Sequence, residues 1–132
     1  MLFFSLAQLL ENLYITVNYH LIKMSVIMKI LKIKARLEKL KLQIVSRYNP
    51  EKIILFGSAA RDDVEVNDID LFIIKEDTPD LGSERIRQLY RLVDTDLPVD
   101  YIVYRPKEVT ERLTLGDPFI VNIFNEGKVL YG

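Results

Sequence analysis

Ile30, Ile33, Leu37, Leu40, Ile44 and Tyr48 recur at steps of three and four, which predicts an amphipathic helix over residues 29–48. Asn49-Pro50 stops it, because a residue before proline is pushed out of helical geometry. Lys52-Ile-Ile-Leu-Phe56 is a short apolar run of strand formers, closed by Gly57, and reads as a buried strand. Ser58 follows where an N-cap would sit, with Ala59-Ala-Arg-Asp62 as a short helical turn. Asp68-Ile-Asp-Leu-Phe-Ile-Ile74 is a second strand that begins by alternating carboxylate and apolar residues. After a loop at Thr78–Gly82, Ser83 caps a helix through Asp94 with Ile86, Leu89, Tyr90 and Val93 inward. Leu97–Tyr104 is a third strand, and Pro106 opens a helix to about Leu113. Pro118 opens the last helix, and Lys128–Tyr131 forms a short final strand. Strands alternating with helices give an α/β fold.

Residues 1–28 fit this pattern poorly. Their apolar residues are interrupted by Gln8, Glu11, Asn12, Asn18, His20 and Lys23. No run approaches the ~18 apolar residues of a membrane span. The stretch also lacks the positive start and small-residue cleavage site of a secretory signal. The expectation is that Met24 or Met28 is the natural start, upstream residues being an over-extended reading frame. The rival is a genuine N-terminal helix that packs on a partner. The division expected is therefore an uncertain leader or helix at 1–28 and one domain at 29–132, cytoplasmic and without a membrane role.

The absence of cysteine excludes disulfides, thiolate metal sites and cysteine nucleophiles. With His20 the only histidine, no catalytic triad or multi-histidine metal site is available. Chemistry must run on carboxylates, hydroxyls and backbone amides with a bound metal. Residues 29–47 carry seven basic groups against Glu38, whereas residues 48–132 carry ten basic and seventeen acidic. No aromatics interleave with those lysines as stacking platforms, so a solvated face is preferred to a nucleic-acid surface.

Residues two apart on a strand share a face, so Asp68 and Asp70 project together while Ile69 turns inward. Paired carboxylates repel unless a cation sits between them, and Mg²⁺ takes such oxygens together with substrate phosphates. Gly57 lets a phosphate approach the backbone, and Ser58 offers a hydroxyl to it. A tight turn explains Gly-Ser equally well. What links the two is a phosphate cradle and a carboxylate pair on consecutive strands, nine residues apart. Asp100, between Val99 and Tyr101, interrupts an apolar strand. It either shares the metal or faces solvent on an edge strand.

Gly57-Ser58, nine intervening residues, Asp68-Ile69-Asp70-Leu71 and a later Asp100 resemble the polymerase-beta-type nucleotidyltransferases, most closely the minimal nucleotidyltransferase (MNT) branch. The resemblance covers roughly Ile53 to Gly132. It implies a small mixed sheet with flanking helices, α+β in kind and like a polymerase-beta palm. It implies that Gly57, Ser58 and Arg61 hold ATP or another nucleoside triphosphate, and that Asp68, Asp70 and Asp100 are catalytic and hold two Mg²⁺ ions. The spacing after Ser58 is one residue shorter than in many members, which bears on where Arg61 and Asp62 sit. The reaction implied moves a nucleoside monophosphate to a hydroxyl with loss of pyrophosphate. Larger relatives carry a helical acceptor domain, and only 32 residues follow Asp100 here, so the acceptor is expected on a partner. MNT proteins are commonly antitoxins of HEPN-type toxins, and some adenylylate a tyrosine of the toxin. The alternative is a non-catalytic module that neutralises its partner by contact. Acceptor, base preference and a homo-oligomeric state stay open.

Neither a P-loop nor a dinucleotide-binding fingerprint is present. In D-x-D phosphatases and sugar transferases the apolar strand precedes the motif. Here Val64–Asn67 precedes it and the apolar run follows, which favours the nucleotidyltransferase order.

Overall fold

The structure is a computed structural model and describes residues 5–61 and 68–132. Asp62 and residues 64–67, which belong to the motif region above, lie outside the described residues, as do residues 1–4. The elements are α1 (Leu6–Tyr48), β1 (Lys52–Phe56), a 3₁₀ turn (Gly57–Ala59), β2 (Ile69–Ile74), α2 (Gly82–Leu92), β3 (Val99–Tyr104), α3 (Pro106–Thr114), α4 (Pro118–Glu126) and β4 (Lys128–Tyr131). The chain divides into two units, residues 1–35 and 36–132.

In residues 1–35 the described part is the first portion of α1. The helix begins at Leu6, well before the expected start at Lys29. The pattern hides it because apolar residues there lie on several faces, so amphipathicity is weak. Thr16, Asn18 and His20 each bond a carbonyl one turn back, which satisfies their polar atoms within the helix. Among the described residues no helix is long and apolar enough to cross a membrane.

Residues 36–132 build a four-stranded sheet in the order β3-β2-β1-β4. β1 pairs antiparallel with β2 and with β4, while β2 and β3 are parallel. A parallel pair needs a crossover, and α2 supplies it. The sheet is therefore mixed, with helices flanking it, as the motif resemblance implies. On one face Ile54, Phe72 and Ile74 pack with Val109 of α3 and Ile120 and Ile123 of α4. The other face presents Ile53, Leu55, Leu71 and Ile73, also buried, and the helical residues Leu40, Ile44 and Leu89 are fully buried outside the first cluster. Each such side chain contributes about 1.5–3 kcal/mol when fully buried. Asn49 ends α1 with a positive φ of 52°, a conformation Asn tolerates, and Pro50 follows.

Three local expectations need correction. Ser58 lies inside the 3₁₀ turn, and Phe56 precedes that turn without a side-chain cap. Leu81, not Ser83, precedes α2, which starts at Gly82. The inner face of α2 is Arg85 and Leu89; Tyr90 is exposed, its ring edge on Tyr101 and its hydroxyl donating to the Val99 carbonyl.

Arg85 is 3% exposed. Its guanidinium donates to the Pro79, Asp80 and Val103 carbonyls, and to both Glu108 oxygens at 2.7 and 2.9 Å. Glu108 also accepts the Arg105 backbone N–H at 2.7 Å, closing the first turn of α3. The Arg85 bonds outweigh partial burial and hold the Glu108 carboxyl at a pKa of about 2, below its ordinary 4.5.

This packing yields two predictions. A chain starting at Met28 keeps a cooperative thermal transition, because the buried residues of α1 (Leu40, Ile44 and Tyr48) all lie beyond it; insoluble or non-cooperative material would refute that. Arg85→Ala leaves three carbonyls and a carboxylate without their donor and costs on the order of 3 kcal/mol in denaturant unfolding. Because the folded pKa of Glu108 is depressed, its contribution is present above pH 4.5 and lost as pH falls toward 2. Acid titration of stability should therefore be shallower in Glu108→Gln than in the parent.

Candidate active site

Asp70 occupies the second position of β2, the strand between β1 and β3. It faces Phe56 across β1 and Asp100 across β3. Register partners on adjacent strands point to the same side, with the strands roughly 4.8 Å apart. Asp70 and Asp100 thus stand side by side on the face covered by α3 and α4. Asp68 lies two residues before Asp70, and Ile69 between them is buried. The alternation read from the sequence is therefore present. Asp68 and Asp100 are exposed, whereas Asp70 is half-buried. Because β3 is an edge strand, Asp100 keeps its solvent contact while adjoining Asp70.

The charges act on one another. Partial burial first, then Asp100, then Asp68 raise the Asp70 carboxyl above its ordinary pKa. A cation placed among them would favour the charged carboxylate and so oppose this rise. As the side chains are oriented here, no three His, Cys, Asp or Glu among the described residues close around a single point. The donor set is carboxylate oxygen throughout, the ligand type that hard divalent ions take.

Gly57 is tied to this cluster. Its φ is +71°, a conformation that side chains disfavour, and a Cβ at this position would strike Asp70 Oδ2. Only glycine lets the end of β1 lie against the Asp70 carboxylate. Ser58 follows, half-buried in the 3₁₀ turn, whose bonds run from the Ala60 and Arg61 amides to the Gly57 and Ser58 carbonyls at 3.2 and 3.1 Å. Arg61 closes the turn at the surface.

A cleft of about 180 Å³ opens beside Gly57, between the 3₁₀ turn and α4. Arg61 lines it from one side, and Phe119, Asn122 and Glu126 from the other. Phe119 also meets Phe56 edge-on at 5.9 Å between ring centroids. Sequence reasoning misses these α4 residues. The signal for them is their spacing of three and four after Pro118, which sets one helical face toward the motif.

A family model described as "Polymerase beta, Nucleotidyltransferase" matches residues 38–132. No curated protein and no solved structure matches the chain. The matched span takes in every strand of the sheet and all the residues just described, and the chain belongs to the polymerase-beta nucleotidyltransferase family.

Proposed function

We propose that this chain is a metal-dependent nucleotidyltransferase that moves AMP from ATP to a hydroxyl on a partner protein. The observation that carries the reading is the Asp70–Asp100 register, with Asp68 on the same face and Gly57 against Asp70. Three mutually repelling carboxylates weaken a fold unless a cation uses them. Asp68, Asp70 and Asp100 would hold two Mg²⁺ ions, which when bound supply a lowered hydroxyl pKa and charge neutralisation at the triphosphate. Gly57 gives the phosphates access to the backbone, and the Ser58 hydroxyl donates to a phosphate oxygen. Arg61 adds positive charge from the cleft side. Asp100, exposed on the edge strand, orients the acceptor hydroxyl and takes its proton. The acceptor oxygen bonds to the α-phosphorus, the bond from that phosphorus to the bridging oxygen breaks, and pyrophosphate leaves with its electron pair. In-line positioning does most of the remaining work.

The Gly57-Ser58, Asp68-Ile69-Asp70-Leu71 and Asp100 motif supports the MNT branch although its spacing is one residue shorter than in many members; the partner would then be a HEPN-type toxin and the chain its antitoxin. A tyrosine suits as acceptor because its phenol, with a pKa near ~10, loses a proton more readily than serine.

Asp70→Asn should abolish Mg²⁺-dependent ATP binding in calorimetry while leaving the metal-free melting temperature unchanged or raised, since it relieves repulsion. A drop in melting temperature would instead make Asp70 a structural residue. The reaction is tested by mixing the chain, the protein encoded beside it, Mg²⁺ and ATP, then weighing that neighbour. AMP additions that vanish with Asp68→Asn support transfer. A tight complex with no mass change, indifferent to that substitution, supports neutralisation by contact.

A further inference from the structure

The first portion of α1 exposes large apolar side chains in a period of their own. Leu10, Val17, Met24 and Leu31 alternate with Tyr14, Leu21, Met28 and Ala35 at steps of four and three. A repeat of 3.5 residues keeps a single seam in line along two supercoiled helices. The seven larger side chains of the seam expose between 49% and 70% of their surface. Leu6, Leu13, His20, Ile27 and Lys34 border it on one flank, and Glu11, Asn18, Ser25 and Lys32 on the other. From Leu10 to Ala35 the seam runs about 38 Å, more contiguous apolar surface than soluble chains usually leave open. Its next position is Glu38, where the repeat ends.

We infer that a second copy of this chain packs along the seam with its helix antiparallel. With Leu21 opposite Met24 of the second copy, Val17 meets Met28, Tyr14 meets Leu31 and Leu10 meets Ala35. Every layer of the seam is then apolar on both sides. The same register sets Glu11 beside Lys32 of the second copy and Asn18 beside Ser25. Two-fold symmetry repeats each pair. Glu11, the one acidic residue of this portion, thereby meets the end of the other helix that carries Lys29, Lys32 and Lys34. A parallel pair does the opposite: it gathers six lysines at one end. The flank of Leu13 and Ile27 does not discriminate, since the antiparallel register sets Leu13 beside Lys34 and His20 beside Ile27. Charge selects the antiparallel arrangement.

Sedimentation of the full chain at tens of micromolar should give twice its 15.4 kDa mass. Leu21→Glu places a charge in the central layers and should give monomer with the thermal transition of the domain retained. Glu11→Lys should weaken the dimer roughly tenfold or more, since it replaces two attractive pairs with repulsive ones, and adding Lys32→Glu in the same chain should restore it. The chain has no cysteines, so introduced thiols report cleanly. Tyr14→Cys and Leu31→Cys chains, mixed and oxidised, should cross-link to each other and neither to itself. A monomeric parent, a Leu21→Glu dimer, or self-linking of Tyr14→Cys would overturn the proposal, as would a parent that stays monomeric but binds lipid vesicles or the neighbouring protein.

Discussion

The central place of β2, paired with β1 on one side and β3 on the other, is the constraint on which the rest of the site depends. Asp70 sits near the start of β2, held between β1 and β3. Sheet pairing holds its backbone whatever its charge does. Pairing β2 parallel to β3 brings Asp100 alongside it, and that choice commits residues 82–92 to a crossover helix. The antiparallel pairing with β1 delivers Gly57 to the same point. A larger residue there would push against the carboxylate it now touches. The motif is thus a consequence of strand order as much as of residue identity.

Stability comes from the other end of the same strands. β2 and β3 are parallel, so the loop after β2 and the end of β3 lie together, away from the aspartates. Arg85 gathers carbonyls from both regions, Pro79 and Asp80 from the loop and Val103 from the strand, and it pairs with Glu108 at the start of α3. Arg105 joins the same loop through Thr78 and Asp80. Tyr48 at the end of α1 shares a buried bond with the Thr78 hydroxyl at 3.1 Å.

Strand patterning alone makes the carboxylate face legible. Ile69 between two aspartates leaves one sensible orientation, and β1 occupies the residues its apolar run marks, Lys52–Phe56. Pro106 and Pro118 each open a helix as their fixed φ suggests. Arg85 is invisible in the sequence because an arginine on a helix is read as solvated; only the fold brings three backbone carbonyls to it. Tyr90 is misplaced for a related reason, its apolar ring suggesting burial that its exposed position and polar tip do not need. Asn122 and Glu126 escape notice because their significance lies in the neighbouring turn at Gly57, distant in sequence.

The long helix shows why periodicity must be read with its phase. Leu37, Leu40, Ile44 and Tyr48 follow steps of three and four on the side that becomes buried. Leu10 through Ala35 follow the same steps on a different side, offset by about half a turn at 3.6 residues per turn. A search for one amphipathic stripe therefore finds the C-terminal stripe and sees the rest as noise, since the two faces cancel in any average over the whole helix. The two stripes overlap along the helix, since Ile30 and Ile33 already lie on the same side as Leu37 and Leu40. A helix with one apolar side has one thing to cover. This one has two sides, and the interior of its own domain accounts for only one of them.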